Sequence, residues 1–464
     1  MKKLGVIISD GVGLRNFAFT DFYKIGENQN FDITFWNSTP FDLASMHFKE
    51  IHIQNGKVSP FIDLYKNALI QLELSQNIKR SNDTVYDSYR FPFSGTGLKP
   101  MLKKKITDWL IYSNNSEKGI KRIRRKIAKK IRGTDFYQMS LQQLKDEKLD
   151  MLFCTNQRIT HSLAPVLAAQ DLGIPTATFI FSWDNLPKGT KILETDYYFV
   201  WSEHMKRELL YYYPEIVEAQ VFITGTPQFE PHFDKSLIIP KADFFADNGM
   251  DIHKKYICFS GDDVTTSPYD PQYLSDTADA VRILNRKGNN IGILFRRCPV
   301  DFLDRYDTVL AKNGDLIISL DPQWEKMGAE WNAVLPTKTD LQLLMNTIFH
   351  SELVVNLGST MAFDFVTRNK PCAYINYDVQ NTDNSGWSVT KIYNFIHFRS
   401  MPSKDAVFWL NSSAEIADKI ETMLQKKGEV IHKTQEWFRK INLHPVEQSS
   451  QRIWEAIHTI TKNK

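Results

Sequence analysis

Short apolar runs alternate with helical patterns along most of this 464-residue chain. Glycine, asparagine, aspartate or threonine residues punctuate the runs, as is typical of turns. The runs span residues 4–9, 32–37, 151–155, 176–181, 197–201, 221–224, 256–260, 291–295, 316–320, 353–356 and 372–376. This alternation predicts parallel β-sheets covered by helices, which is an α/β fold.

The helical patterns lie between these runs, and some of them end at clear stop signals. One pattern closes on the Gly173-Ile174-Pro175 sequence, and another closes on Pro214. The predicted helices span residues 161–172, 203–213, 271–286, 341–350, 361–368, 415–426 and 436–460. Residues 38–148 are harder to interpret, apart from a basic segment within them.

The length of the chain exceeds the size at which a single hydrophobic core stops growing. The sequence becomes polar and irregular from Glu230 to Lys255, and a new series of strands then begins. We therefore predict an N-terminal domain over residues 1–230, a C-terminal domain over 231–435 and a terminal helix within 436–464. Both domains are predicted to be Rossmann-like, and we expect ligands in a cleft at the carboxyl ends of their strands.

Composition and motifs argue against several other classes of protein. Hydrophobic residues make up 42% of the chain and charged residues 24%, which is ordinary globular usage and argues against disorder. The four cysteines lie far apart, in or beside apolar runs, and predict neither a disulfide framework nor a zinc site. The sequence has no Gly-x-Ser-x-Gly elbow and no Walker loop, which argues against hydrolases and nucleotide triphosphatases.

The start of the chain imitates a signal peptide, but Asp10 ends its apolar stretch too early. No window of the sequence reaches the ~20 apolar residues that a membrane-spanning helix needs. We therefore expect a cytoplasmic protein whose only contact with a membrane is peripheral.

Basic residues are concentrated in one segment. Residues 99–132 contain 13 Lys or Arg against two acids, Asp108 and Glu117, so the segment carries +11 and the remainder 3 − 11 = −8. Apolar residues accompany the basic ones at helical spacing, as in an interfacial helix that approaches anionic lipid. The alternative is a solvated basic helix whose apolar stripe packs on its own domain. Nucleic acid is not favoured as a partner, because no recognition module accompanies the segment.

The strongest candidate for ligand binding is a turn that follows the run 353–356. Gly358, Ser359 and Thr360 precede a predicted helix, and their amides and hydroxyls suit a diphosphate. Asp364, one turn further along, is placed to accept a bond from a ribose hydroxyl. The alternative is that Ser359 or Thr360 simply caps the helix.

Further candidates follow other strands of the C-terminal domain. Arg296 and Arg297 come directly after the run 291–295, where guanidinium groups would neutralise phosphate, although a surface ion pair would explain them too. Ser260 and Gly261 follow the run 256–260. The next two residues, Asp262 and Asp263, indicate turn chemistry more than a metal site, and we expect no metal.

Polar residues also follow two strands of the N-terminal domain. Asp10 ends the first strand and is a candidate general base, although it would equally accept bonds from turn amides. The residues after it are Gly11, Gly13, Arg15 and Asn16; because the third glycine is missing, a dinucleotide fingerprint finds little support. After the run 176–181, an aromatic and polar group of the kind that grips a sugar comprises Trp183, Asp184, Asn185 and Lys188. Trp183 would equally be a core residue, and Asp184 a cap.

The order of these motifs resembles that of bacterial GT-B glycosyltransferases of surface-polysaccharide synthesis. The motifs are Ser182 to Gly189, Val200 to Ser202, Thr224 to Phe229, Gly358 to Thr360, and Asn369 to Pro371. The resemblance covers residues 150–378 and extends more distantly to glycerophosphotransferases of teichoic acid synthesis. It implies two Rossmann-like domains, a nucleotide-sugar donor on the C-terminal domain, an acceptor on the N-terminal domain and no obligatory metal or cofactor. It also implies that the last helix returns to the N-terminal domain.

Specific roles follow from the resemblance. Ser359 and Thr360 would bind donor phosphate, Asp364 the ribose or sugar, and Arg296 or Arg297 the leaving diphosphate. Ser260, Gly261 and Gly358 are grouped with the donor site, and the acceptor-binding residues would be Gly11, Gly13, Arg15, Asn16, Trp183, Asn185 and Lys188. The Glu-x7-Glu pair of many GT-B enzymes is missing, which favours an inverting mechanism with Asp10 as base and Asp184 as its rival.

Three other functions stay open at this point. A non-hydrolysing nucleotide-sugar epimerase would share the two-domain cleft, but it needs acid and base groups on both faces of one sugar. A glycerophosphotransferase-like enzyme and a non-catalytic glycan-binding relative are the other two. For the transferase, the partners would be a nucleotide-sugar donor, a surface-glycan or lipid-linked acceptor, and an anionic membrane met through residues 99–132.

Overall fold

A computed structural model of the chain describes residues 1–53, 56–90, 97–328, 333–380 and 386–462. Two separate parallel sheets dominate it. We call the part of the chain that builds the first sheet the N-terminal half, and the part that builds the second sheet the C-terminal half.

Seven parallel strands form the sheet of the N-terminal half, in the order β3-β2-β1-β4-β5-β6-β7. The strands are β1 Lys2–Ile8, β2 Phe31–Asn37, β3 Glu50–His52, β4 Met151–Cys154, β5 Thr176–Phe179, β6 Tyr197–Val200 and β7 Val221–Ile223. The order reverses between β1 and β4, which is where open α/β sheets hold ligands.

Eight helices accompany this sheet. They are α1 Gly11–Ala18, α2 Phe22–Asn28, α3 Pro60–Ser81, α4 Leu98–Asn114, α5 Glu117–Arg132, α6 Asp135–Glu147, α7 Leu163–Asp171 and α8 Glu203–Tyr212. Four of them, α3 to α6, occupy the stretch 38–148, which is harder to interpret from the sequence.

Six parallel strands form the second sheet, in the order β10-β9-β8-β13-β14-β15. The strands of this half are β8 Lys255–Ser260, β9 Ile291–Arg296, β10 Ile317–Ser319, β11 Glu325–Lys326, β12 Val334–Leu335, β13 Ser351–Asn356, β14 Cys372–Ile375 and β15 Phe408–Leu410. The short strands β11 and β12 pair only with each other, in antiparallel fashion.

The remaining helices are α9 Lys241–Asp247, α10 Asp270–Arg286, α11 Asp307–Lys312, α12 Lys338–His350, α13 Met361–Val366, α14 Val389–Tyr393, α15 Ile416–Gln425, α16 Gly428–Ile441 and α17 Ser449–Lys462. The α/β class and the two parallel sheets are therefore confirmed. The stretch from Glu230 to Lys255, predicted to be irregular, contains α9.

One predicted helix, over residues 436–460, is wrong as a single element. It is two helices, because α16 ends at Ile441 and Asn442 adopts extended backbone, with φ −132° and ψ 141°. Pro445 lies in the break and has no backbone N–H to continue a helix. The second piece, α17, packs on the N-terminal half, where Trp454 stacks on Phe22 at 5.0 Å between ring centroids. The domain boundaries at 230 and 435 stay a prediction.

The basic segment forms two helices that use their apolar residues in opposite ways. Helix α5 buries Ile123, Ile127 and Ile131 against its own domain. For α5 the packed alternative is therefore the observed one. Helix α4 instead exposes most of its large apolar side chains. Within the described ranges, no helix is both long and apolar enough to span a bilayer.

Candidate functional site

The turn after β13 is tight and is fixed by its own residues. Gly358 adopts φ 68°, and a Cβ there would lie 2.9 Å from Cζ of Phe398, so only glycine fits without strain. Asn356 Oδ1 accepts a hydrogen bond from the Ser359 amide at 2.9 Å, which fixes the turn. The following helix α13 has six residues, so its dipole contributes less here than the longer helix predicted from the sequence.

A cavity of about 210 Å³ opens beside this turn. We call it the first cavity. Of the predicted donor-binding residues, those that line it are Ser260, Gly261, Arg296, Arg297, Ser359, Thr360 and Asp364. They come from the carboxyl ends of β8, β9 and β13, which are neighbours in the sheet. The structure therefore brings together all of the predicted donor residues except Gly358, which lines the cavity on the other side of the turn.

Arg15 lies in the first cavity too, although the sequence analysis grouped it with the acceptor. It projects from α1 of the N-terminal half, so the cavity has walls from both halves. Burial lowers the pKa of Arg15, while the carboxylates of Asp364 and Asp340 act in the opposite direction. The geometry therefore moves Arg15 from the acceptor group to the donor group.

Partners inside the protein hold the other charged groups of this cavity in place. The Arg296 guanidinium contacts both carboxylate oxygens of Asp340 at 2.9 Å, and Asp340 also accepts a bond from the Trp324 indole at 2.7 Å. The second terminal nitrogen of Arg296, Nη1, is buried without a hydrogen-bond partner among the described residues. Arg297 pairs with Asp321 at 3.2 Å. Both arginines thus lie in ion pairs, and Nη1 of Arg296 stays free of them.

Among the described residues, one side chain, that of His232, forms a hydrogen bond with the Asp364 carboxylate. Its Oδ1 lies 2.8 Å from Nε2 of His232, and the side chains of both residues are buried. That contact orients the carboxylate where it borders the cavity.

A second cavity, of about 310 Å³, lies on the opposite side of the same turn. The two cavities share Asp262, Ser359 and Thr360 in their linings. From the N-terminal half the second cavity receives Ser182, Trp183, Asp184 and Lys188. The two halves therefore enclose two adjoining spaces, separated by the turn.

Asp184 carries a charge in the second cavity. Its carboxylate pairs with Lys188 and accepts hydrogen bonds from Ser182 and Asn185. Burial is the largest single effect on the pKa and opposes the charge, but the Lys188 ammonium and the other interactions around the carboxylate, including hydrogen bonds from Lys188 and Ser182, together outweigh it and hold the pKa of Asp184 well below its usual range. Asp184 is therefore an ionised group and a weak base.

His397 faces the same cavity from the C-terminal half, and the sequence analysis did not single it out. Burial lowers the pKa of His397 to about 4, although Asp184 raises it. Its Nδ1 is buried without a hydrogen-bond partner in the described part of the chain. The ring is therefore a neutral imidazole at ordinary pH. Its sequence context, Phe395 to Phe398, resembles a core strand, so nothing in the sequence pointed to it.

Asp262 borders both cavities. Burial, with the neighbouring Asp263 and Asp270 carboxylates, raises the pKa of Asp262 well above its usual range. This carboxyl group therefore keeps its proton at a pH where an ordinary aspartate has lost it. The described residues contain no group of three or more His, Cys, Asp or Glu side chains placed to hold a metal ion.

Two residues of the predicted acceptor group are mainly structural. Trp183 is 4% exposed and packs edge-on against Phe363, His397, Phe398 and Trp437. Asn185 is buried and bonds to Gln157 and Asp184. The geometry favours the core alternative for Trp183, although its ring also borders the second cavity, as Lys188 does.

The residues after β1 also serve the fold. Asp10 is buried, and its two oxygens accept hydrogen bonds from the Gly13 amide at 2.8 Å and from Asn156 at 2.6 Å. It lines neither cavity, so the geometry favours its capping role over that of a base.

The neighbours of Asp10 are tightly packed. A Cβ on Gly11 would lie 2.8 Å from Pro336 of the C-terminal half, and one on Gly13 would lie 2.6 Å from Thr155. Asn16 is buried. None of these three lines either cavity. The two glycines allow close packing, and the geometry gives no support for acceptor binding by these three residues.

Solved structures with the same architecture decide the fold family. The chain superposes over 100% of its length on S. aureus MnaA with UDP, with a TM-score of 0.52 and 12% identity, covering 97% of that chain. A glycosyltransferase from Rickettsia africae matches with a TM-score of 0.55 and 10% identity over 100% of both chains. A UDP-GlcNAc 2-epimerase from Methanocaldococcus jannaschii matches with a TM-score of 0.50 and 13% identity, over 98% of this chain and 99% of that one.

The chain has the GT-B fold. At these identities the likeness concerns architecture alone, and it confirms the two Rossmann-like sheets expected from the resemblance. No protein-family model matches the sequence, and no curated protein does either.

Both cavities lie at the carboxyl ends of the parallel strands. Their lining comes from segments that follow β5, β8, β9 and β13, at the carboxyl ends of the strands, together with α1 after β1. In open α/β sheets these ends are where ligands bind.

Proposed function

We propose that this chain is a glycosyltransferase that moves a sugar from a nucleotide-sugar donor to a hydroxyl group of a surface-glycan or lipid-linked acceptor. The observation that carries the proposal is the convergence of guanidinium groups from both halves, Arg15 and Arg296, on the Ser359-Thr360 turn. A site that gathers positive charge and hydroxyl groups around one turn suits a diphosphate.

The donor diphosphate lies in the first cavity. Ser359 and Thr360 contribute hydroxyl groups and the amides of the turn, and Nη1 of Arg296 is free to donate to a phosphate oxygen. Asp364 accepts from a donor hydroxyl through the oxygen that His232 leaves free. Arg15 closes the cavity from the other half, so donor binding also stabilises the contact between the halves.

The acceptor hydroxyl lies in the second cavity, on the other side of the turn. In an inverting transfer, a base takes the hydroxyl proton as the oxygen attacks the anomeric carbon, and the bond from that carbon to the diphosphate oxygen breaks. We assign the base to His397, because it is neutral and its Nδ1 is unpartnered. The Asp184 carboxylate stabilises the imidazolium that forms. Asp10 lines neither cavity, so we do not assign the base to it. Asp184 acts through His397.

No metal is part of the proposed mechanism. Arg15, Arg296 and Arg297 supply the positive charge that the leaving diphosphate requires, and the protonated Asp262 carboxyl donates to the same group. Transfer that continues in the presence of EDTA is the expected result.

An epimerase is the second candidate, and one observation favours it. Titratable groups lie on both walls of the second cavity, with Asp184 from the N-terminal half and Asp262 and His397 from the C-terminal half. Such an arrangement would serve proton removal from one face of a sugar and proton return to the other.

One experiment distinguishes the two candidates. The purified protein is incubated with UDP-, GDP-, CDP- or dTDP-sugars, with and without a mixture of glycan and lipid-linked acceptors, and products are separated by mass and configuration. A transferase consumes its donor at an appreciable rate only when acceptor is present. A changed sugar configuration with donor alone would replace the proposal with the epimerase.

A further inference from the structure

Helix α4 presents an apolar face that no described part of the protein covers. The outward side chains are large, and their exposed fractions are 85% for Leu98, 55% for Met101, 60% for Leu102, 62% for Trp109 and 87% for Tyr112. Their spacing of three, four or seven residues places them on one side of the helix. Contiguous exposure of this kind marks an interaction surface, whereas scattered single residues do not.

The opposite side of α4 holds the helix on the protein. Thr107, Leu110 and Asn114 are buried there, and α4 packs on α3 and α5. The side of α4 that packs on the domain is therefore a different one from the side that carries the exposed apolar residues. The exposed residues point away from the domain, whereas Thr107, Leu110 and Asn114 face it.

Positive charge surrounds the apolar face. Lys99, Lys103 and Lys105 are exposed and form no ion pair among the described residues, whereas Lys104 pairs with Asp108 at 2.8 Å. Helix α5 adds a basic surface, since it buries its isoleucines and exposes Lys118, Arg122 and Lys129. A partner that covers this face must therefore contact apolar side chains and carry negative charge.

We propose that α4 binds in the plane of an anionic lipid bilayer, with Met101, Leu102 and Trp109 inserted between lipid head groups and the lysines on lipid phosphates. Large apolar residues that include Trp and Tyr, beside lysine, are the composition of an interfacial helix. A second copy of the chain fits poorly, because it would bring the +11 of residues 99–132 against an equal charge.

The membrane contact expected for residues 99–132 is thus confined to α4, whose apolar side chains insert into the bilayer. It does not depend on the proposed function, because vesicle binding needs neither nucleotide nor acceptor. Vesicle binding and sugar transfer therefore fail or succeed separately.

The test is co-flotation of the full chain with vesicles of phosphatidylcholine alone or in an equal mixture with phosphatidylglycerol. The wild type floats with the anionic vesicles and stays behind with the neutral ones. The Met101→Ser/Leu102→Ser/Trp109→Ser variant loses at least about tenfold in apparent affinity. The matched control, Ile252→Ser/Ile283→Ser, removes comparably exposed apolar side chains elsewhere and floats like the wild type.

A second variant separates charge from insertion. Lys99→Glu/Lys103→Glu/Lys105→Glu weakens binding by at least about a hundredfold, since each lysine near an anionic surface contributes about fivefold. Thermal melting checks that each variant is folded. Failure of the wild type to float would overturn the proposal, as would a serine variant that floats normally. A wild-type dimer in light scattering that the serine variant converts to a monomer would assign the face to a second copy instead.

Discussion

The indole Nε1 of Trp183, in the N-terminal half, donates a hydrogen bond to Oγ1 of Thr360, in the C-terminal half, over 3.4 Å. Thr360 belongs to the turn that separates the two cavities, so the turn is fixed from both halves of the protein. Around this bond, the Trp183 ring contacts Phe363 and Trp437 of the C-terminal half. The aromatic cluster thus ties the position of the turn to the packing between the halves.

Replacement of Trp183 therefore affects stability before chemistry. Trp183→Ala removes a nearly fully buried ring and is expected to lower the free energy of unfolding by about 3–5 kcal/mol. Trp183→Phe retains most of the packing and loses the weak hydrogen bond, at a cost of about 1 kcal/mol. Urea unfolding followed by far-UV circular dichroism measures both. An Ala variant as stable as the Phe variant would show that the cluster contributes little.

The buried pair of Arg296 and Asp340 gives a second prediction. Asp340→Ala leaves the Arg296 charge buried without its partner and is expected to lower the free energy of unfolding by about 3–5 kcal/mol. Arg296→Met/Asp340→Leu removes both charges, so its stability is close to that of the wild type, but its donor affinity falls. Denaturation and donor titration together test this. Equal losses of stability in both variants would contradict the view that the unpaired buried charge causes the loss.

The assignment of the base predicts contrasting effects at two residues. Asp10→Asn keeps an oxygen that accepts from the Gly13 amide, so helix α1 stays capped and turnover stays near the wild-type value. His397→Gln lowers turnover by about 10²–10⁴-fold with donor affinity unchanged. Single-turnover rates and donor titrations measure the two effects. If the Asp10 variant is slow and the His397 variant is not, the base is Asp10.

The pH dependence follows from the same residue. Because burial lowers the pKa of His397 to about 4, the imidazole stays unprotonated and able to accept a proton at pH values well below the ordinary 6.5. An ordinary histidine would be about nine-tenths protonated one pH unit below its pKa of ~6.5. Turnover is therefore expected to persist on the acidic side until the pH nears 4, provided that melting curves show the protein folded. A fall centred near the ordinary histidine pKa would contradict the buried imidazole.

The same shift has a consequence for stability. In the unfolded chain this histidine binds a proton below pH ~6.5, whereas in the folded chain it does so only near pH 4. The unfolded state therefore gains a proton first as the pH falls. The free energy of unfolding is highest above the unfolded pKa and decreases as the pH falls toward the folded pKa. His397→Gln is therefore expected to lose less stability than the wild type between neutral and mildly acidic pH. Melting temperatures of both proteins across that range provide the measurement.

Sequence reasoning could predict the strands because parallel strands are buried on both faces and are nearly continuous apolar runs. The short edge strands β3 and β15 escaped it, although β7 and β10, which are equally short and also lie at sheet edges, were predicted. Helices α3 and α6 escaped it as well, whereas the apolar spacing of residues 99–132 indicated helix where α4 and α5 lie. In α4 the apolar residues face solvent, so the usual match between an apolar stripe and the core does not hold there.

The grouping of the donor-binding candidates around one cavity could be predicted because residues that follow neighbouring parallel strands meet at one sheet edge. Ser260, Arg296 and Ser359 do so. Arg15 and His397 could not be placed in this way, because their positions depend on how the two halves pack. Asp10 shows the converse: a carboxylate after a strand is equally suited to capping, and only the contacts to Gly13 and Asn156 distinguish the two roles.

The proposed donor site takes residues from both halves of the protein. A thermal-shift titration tests whether donor binding requires both. UDP-, GDP-, CDP- and dTDP-sugars are titrated against the wild type, Arg15→Gln and Ser359→Ala/Thr360→Ala, with EDTA present throughout. Because a ligand that binds only the folded state raises the melting temperature, one nucleotide series is expected to stabilise the wild type. Both variants are expected to lose that stabilisation, while their own melting temperatures stay close to the wild-type value. If none of the nucleotide sugars stabilises the wild type, the chain has no such donor site. If one of them still stabilises Arg15→Gln, donor binding does not require the N-terminal half.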